Sequence, residues 1–168
     1  MPHKNKQPAW AWIAAGFSAL APIGCKTVHT EIQINASPAE VWKVISDAPR
    51  FPEWNPVHVK IDGEFKEGSA IKIHLKQPDG KITAFGATVY HLVPESLLNQ
   101  GGGTPGVFTF NHTFRLEPSN GGTRFTHTEE FRGIGLVFFN MDWVEAAYVR
   151  VNEALKARIE SGKSNPSQ

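Results

Sequence analysis

The sequence predicts an α+β fold, a curved antiparallel sheet wrapped around a long C-terminal helix. Three observations lead there. The elements run strand, short helix, several strands, long helix, with no βαβ alternation. The last two strands form a hairpin with cleanly alternating faces, Val107–Leu116 and Thr123–Phe131. The closing helix carries one apolar stripe, Val144, Ala147, Tyr148, Val151, Leu155 and Ile159.

Composition suits a single packed domain. The chain has 168 residues, 40% hydrophobic and 20% charged, with fifteen Gly and twelve Pro to make turns. Seventeen basic residues nearly balance sixteen acidic ones, for a formal charge of +1. That balance removes the electrostatic argument for nucleic-acid binding. A single cysteine excludes an internal disulfide and any multi-cysteine zinc site. The sequence holds no nucleotide loop, nucleophile motif or zinc spacing, so no cofactor is expected.

Residues 1–25 read as a separate object. A short basic start is followed by the uncharged run Ala9–Ala21, too short to span a bilayer. Ile23-Gly24-Cys25-Lys26 comes next. This stretch resembles a bacterial lipoprotein signal, in which a small residue precedes a cysteine that becomes lipidated. Gly24 and Cys25 match the pattern, whereas Pro22 stands where Leu is usual. The resemblance implies a domain tethered at Cys25 to a bacterial envelope membrane. A secretory signal with an incidental cysteine and a plain apolar anchor are the other readings.

The first strand is expected at Thr27–Ala36, where Val28, Thr30, Ile32 and Ile34 share one face. Ser37-Pro38-Ala39-Glu40 is a capping box with Pro at the first helical position, and the helix should end near Asp47. Three prolines in Pro49–Pro56 allow one broken helical turn. Strands follow at Val57–Ile61, Ala70–Lys76, Ile82–Val93 and Ser96–Asn99. The long third run is apolar on both faces, so its inward face is ambiguous. Gly101–Gly106 is expected to be a flexible loop, with Asn99–Gly106 a mobile gate or simply a connection. Ser119–Gly122 closes the last hairpin. The final helix is expected at Asp142–Glu160, with a frayed tail from Ser161.

The pieces resemble the START-like or Bet v 1-like superfamily, in its polyketide cyclase/dehydrase branch. The matching residues are Ser37-Pro38-Ala39-Glu40-Val41-Trp42 and Phe51-Pro52-Glu53-Trp54-Asn55-Pro56. Gly121-Gly122-Thr123-Arg124 and Asn152-Glu153-Ala154-Leu155-Lys156 match as well. The resemblance covers about residues 27–160. It implies a helix-grip fold of about seven strands, with a cavity between sheet and helix that takes apolar or amphipathic small molecules.

The last hairpin points to the cavity wall on its own. Phe108, Phe110, His112, Phe114 and Leu116 share a face, as do Phe125, His127, Glu129 and Phe131. The phenylalanines must face inward, and they carry His112, His127 and Glu129 with them. Closure at Ser119–Gly122 opposes Leu116 to Phe125, Phe114 to His127 and His112 to Glu129. A two-residue slip would set His112 against His127 or Phe131 instead. Two imidazoles and a carboxyl among phenylalanines must be paired or wet. They read as a structural His–Glu pair, as anchors for a ligand head group, or as acid/base groups. They also contain the residue types of a two-His-one-carboxylate metal set, which no further spacing supports.

Trp54 reads as a core plug or as a wall at the cavity mouth, and His58 and His91 cannot be placed. The apolar segment Gly133–Phe139 reads as a lid or as a lipid-facing patch. Three functions follow. The first is a membrane-tethered binding protein for a hydrophobic small molecule or lipid, using Trp54, Phe108, Phe110, His112, Phe114, Phe125, His127, Glu129 and Phe131. The second is a cyclase, dehydratase or isomerase with His127 and Glu129 as acid/base and His112 as a further candidate. The third is an envelope protein-interaction module.

Overall fold

A computed structural model describes residues 24–138 and 140–163. The expected signal segment up to Ile23, Phe139 and the tail from Ser164 lie outside the described residues. Seven strands form one antiparallel sheet in the order β1-β7-β6-β5-β4-β3-β2. They are β1 (Cys25–Ile34), β2 (His58–Asp62), β3 (Ala70–Lys76), β4 (Ile82–Val93), β5 (Leu97–Thr104), β6 (Phe108–Ser119) and β7 (Gly122–Arg132). Helix α1 (Pro38–Ile45) and a 3₁₀ turn, Ala48–Glu53, follow β1. Helix α2 (Trp143–Lys163) closes the chain and packs against β1 and β7. This is the helix-grip arrangement that the resemblance implied. Among the described residues no helix is long and apolar enough to cross a membrane.

The helical stripe is the core of the fold. Val144, Ala147, Tyr148, Val151, Leu155 and Ile159 are all buried, against Val28, Ile34, Phe114 and Phe125 of the sheet. The α1 capping box forms as its residues dictate. The Ser37 hydroxyl accepts from the Glu40 amide at 3.3 Å, and the Ser37 amide donates to the Glu40 carboxylate at 2.7 Å. Ser37→Ala is expected to cost about 1 kcal/mol in urea unfolding, because it strips one of these two caps.

Several boundaries differ from expectation. β1 begins at Cys25 because β7 runs on to Arg132 and pairs with it. α2 continues to Lys163, past the expected frayed end. The largest correction is β5. Gly101-Gly102-Gly103-Thr104 is a paired strand between β4 and β6, not a flexible loop. A side chain at Gly101 would place its Cβ 2.5 Å from the Phe110 carbonyl oxygen. The glycines are there for close backbone approach, not for mobility.

The β6–β7 register is the expected one, with Leu116 opposite Phe125 and His112 opposite Glu129. The turn is tighter than expected. Ser119 and Gly122 are themselves a ladder pair, leaving Asn120 and Gly121 at φ 49° and 75°. Two central residues at positive φ match the twist of the flanking strands.

Candidate functional site

The sheet and α2 enclose a cavity of about 490 Å³, in the range of small-molecule sites. Its inner end is lined by buried residues, among them His58, Ile73, Phe110, His112, Glu129 and Tyr148. Its other end is lined by half-exposed Leu75, Thr83, Phe85, Phe108, Met141 and Trp143. That end is the mouth. It lies where β3, β5 and β7 finish and β4 and β6 begin.

Five of the expected residues line the cavity: Phe108, Phe110, His112, Glu129 and Phe131. Four do not, and the expectation is corrected for them. Phe114 and Phe125 meet each other at 5.1 Å between ring centroids and are fully buried. They sit toward the hairpin turn, where α1 packs across β6 and β7 and fills the space. Trp54 packs on Phe51 at 5.0 Å, which makes it a plug beneath the 3₁₀ turn and not a wall of the mouth. His127 lies behind the wall, its ring stacked on Tyr148 at 3.7 Å.

The polar groups pair differently from the expected His–Glu contact. His112 and Glu129 oppose each other on the ladder, but Glu129 turns to α2 and accepts a hydrogen bond from the Tyr148 hydroxyl. His112 instead meets His127, Nε2 to Nε2, at 2.8 Å. The protons can be assigned from the neighbours. Asn152 donates its Nδ2 to Thr30 Oγ1 at 3.0 Å, so its Oδ1 accepts from His127 Nδ1 at 3.2 Å. A neutral His127 then has a bare Nε2, which accepts from His112 Nε2–H. The remaining His112 Nδ1 accepts from Gln100 Nε2 at 3.4 Å. The result is a directional chain from Gln100 through both imidazoles to Asn152 and Thr30.

Burial keeps this chain uncharged. Desolvation holds His112 and His127 well below the usual imidazole range, reinforced at His112 by the His127 ring. His58, whose ring lies 5.2 Å from that of His112, is lowered to about 4 by the same cause. Burial raises Glu129 to about 8. At neutral pH the inner end therefore presents a carboxylic acid, a phenol and neutral imidazoles. The two imidazole Nε2 atoms are bonded to each other and Glu129 faces Tyr148, so the two-His-one-carboxylate arrangement is not assembled. Among the described residues no group of three His, Cys, Asp or Glu could hold a metal ion.

Sequence reasoning missed several members of the site, Tyr148, Asn152, His58 and Gln100 among them. Tyr148 was read only as stripe, although a tyrosine on a buried face needs a partner for its hydroxyl. Asn152 lies one turn after Tyr148 on the same face, the signal that would have found it. His58 is hidden by an irregularity in β2 pairing between His58 and Lys60. It brings His58 to the buried side together with Ile61. His29, His74 and His91 all lie on the outside, paired with Glu31, Asp62 and Glu67.

Comparison with known proteins agrees with this architecture. A family model described as polyketide cyclase / dehydrase and lipid transport matches residues 26–160. No curated protein matches the sequence. Among solved structures, an aromatase/cyclase from Streptomyces sp. R1128 superposes with a TM-score of 0.65 at 16% identity, covering 82% of this chain and 94% of that one. Ara h 8.0201 gives 0.63 at 18% identity, covering 82% and 99%. A protein of unknown function from Staphylococcus aureus gives 0.67 at 15% identity, covering 85% and 98%. At these identities the structures share the fold.

Proposed function

Given that the chain belongs to the polyketide cyclase/dehydrase and lipid transport family, we propose that it binds a hydrophobic or amphipathic small molecule in the cavity between sheet and α2. One observation carries this reading: a mostly apolar cavity open at one end, with its titratable groups, His58, His112, Glu129 and Tyr148, gathered at the inner end. The cavity exceeds the volume of ten ligand heavy atoms, taking each at no more than the ~30 Å³ of a water molecule. That weighs against the protein-interaction module in which the cavity is only a relic.

The wall also constrains the ligand. Among the described residues it includes no Lys or Arg. Glu129, raised to about 8, is itself largely protonated at neutral pH. An anionic head would lose its hydration with no counter-charge in return. The ligand's polar group is therefore not an anion, and an uncharged group such as a hydroxyl or carbonyl suits this wall. The N-terminal segment would tether the domain to an envelope membrane through Cys25, which is exposed at the start of β1.

The enzymatic alternative keeps one specific support. The Glu129–Tyr148 pair on the wall is a proton donor of the right type for chemistry at a ketone. His127, the other expected acid/base group, is walled off. A pH–rate profile that survives His127→Asn and is lost in Glu129→Gln would support this reading.

The full chain purified from its native host is expected to carry a stoichiometric organic ligand in native mass spectrometry. A neutral fluorescent dye bound after delipidation should be displaced by dodecanol at least tenfold better than by dodecanoate at pH 7. Equal or reversed potency overturns the uncharged-head assignment. Leu75→Trp adds bulk at the half-exposed mouth. It is expected to lower dye affinity at least tenfold while shifting Tm by less than about 4 °C, the effect of roughly 1 kcal/mol. Undiminished dye binding in that variant would place the ligand elsewhere.

A further inference from the structure

The mouth end of the sheet carries an exposed apolar surface that the cavity does not use. A 3₁₀ turn, Ile134–Val137, follows β7. Phe138 is 82% exposed, Val137 76%, Val107 52% and Ile134 48%. Single exposed apolar residues are ordinary, but a contiguous group at one end of a domain marks an interaction surface. The group is built into the fold. The Ile134 amide donates to the Gly106 carbonyl at 3.1 Å, and the Gly135 amide to the Val107 carbonyl at 2.8 Å. The Gly133 amide donates to the Gly24 carbonyl at 2.9 Å. The 3₁₀ turn, the β5–β6 turn and the entry to β1 are thus one hydrogen-bonded unit, and the segment is held in place instead of hanging as a lid.

The same unit borders the mouth. Phe108, next to Val107, lines the cavity, and Met141 lines both the cavity and a shallow hollow beside Cys25 and Val137. The chain reaches Gly24 from Ala9–Ala21, thirteen residues without a charge. Only Pro22 and Ile23 separate that run in sequence from Gly24, and Gly24 itself lies against the 3₁₀ turn, its would-be Cβ 3.2 Å from Leu136 Cβ. Whatever embeds the run is brought against this face. The flanking charges are paired locally, Lys26 with Asp142 at 2.6 Å and Arg132 with Glu130 at 2.9 Å. Among the described residues beside the patch, they leave no unmatched basic cluster that would select anionic lipid.

We propose that Val107, Ile134, Val137 and Phe138 form a bilayer-docking surface that inserts among lipid acyl chains and holds the cavity mouth toward the membrane. The proposal rests on the membrane tether proposed above, either a lipidated Cys25 or a retained Ala9–Ala21 run, because Gly24 and Cys25 share a hollow with Val137. Docking is apolar, so it does not require anionic lipid, and side chains of this kind enter the headgroup–acyl boundary. A ligand would then pass between bilayer and cavity without crossing open water.

The test uses the full chain with Cys25→Ser and a single cysteine at Val137→Cys, labelled with an environment-sensitive dye. A second sample carries the label at Lys66→Cys, in the exposed β2–β3 connection at the opposite end of the sheet. With phosphatidylcholine vesicles the chain is expected to cosediment. The label at position 137 should shift to the blue and brighten at least threefold, and that at position 66 should not change. Replacing a third of the lipid by phosphatidylglycerol should leave the result within twofold. Cosedimentation with an unchanged label at 137 would overturn the docking face and leave the tether intact. No cosedimentation and no shift would overturn both. A shift seen only when a copurifying protein is present would assign the face to a protein partner and overturn the lipid assignment.

Discussion

Gly101→Ala is expected to destabilise the domain by about 2–4 kcal/mol, a fall in Tm of roughly 10 °C. The added Cβ would stand 2.5 Å from the Phe110 carbonyl oxygen and 2.7 Å from the Tyr90 ring. The exposed Tyr90 ring can swing aside, but the Phe110 carbonyl cannot yield cheaply. The Phe110 backbone belongs to β6, whose inner face forms the cavity wall, and β5 is hydrogen-bonded to strands on both sides. The control is Gly106→Ala, five residues on. Gly106 sits in the β5–β6 turn at φ 78° with nothing within 4 Å of its would-be Cβ. Its only cost is the strain of an alanine held at positive φ, about 1 kcal/mol. Paired urea melts of the two variants decide the matter. Equal, small losses would mean that the glycine run is the mobile gate that its composition suggests.

That run shows where sequence reading stops. Glycine is used both for freedom and for close approach, and composition cannot separate the two. The β6–β7 hairpin was legible because its phenylalanines fix which face is inward, and the twist-matched turn then fixes register. The face of β4 was not legible, because an irregularity between Val89 and His91 changes the alternation partway along the strand. Thr83, Phe85, Ala87 and Val89 point inward up to that point, and Leu92 resumes after it. His58 was lost for the same reason in β2. Within the site, pattern placed His112, His127 and Glu129 on the inner face. It could not choose their partners, because α2, more than a dozen residues on, supplies those of Glu129 and His127. Tyr148 draws Glu129 off the ladder, and Asn152 sets the direction of the imidazole chain.

The buried titratable groups predict a stability maximum near pH 6.5 with two limbs of different origin. Burial lowers His58 to about 4 and holds His112 and His127 well below the usual imidazole range, so the folded state leaves all three neutral where the unfolded chain protonates them. Their contribution is present above about 6.5 and lost as pH falls. Protonation would also give His127 an N–H at Nε2, facing the N–H of His112 and breaking the chain. Glu129 has the opposite sign. Raised to about 8, it holds a proton in the fold that the unfolded chain releases near 4.5. Its contribution is present below about 4.5 and lost as pH rises toward 8. Each proton of difference changes stability by about 1.4 kcal/mol per pH unit. Between pH 4.5 and 6.5 three histidines outweigh one carboxyl, so stability rises with pH. Between 6.5 and 8 only Glu129 is left, and stability falls by roughly 2 kcal/mol. Urea melts of Glu129→Gln should keep the acid limb and lose the alkaline one, since an amide oxygen still accepts from Tyr148 but cannot ionise. An alkaline limb that persists in Glu129→Gln, or a flat wild-type profile from pH 6.5 to 8, would show that the carboxyl is charged in the folded protein. The uncharged inner end of the cavity, and with it the preference for an uncharged ligand head, would fall at the same time.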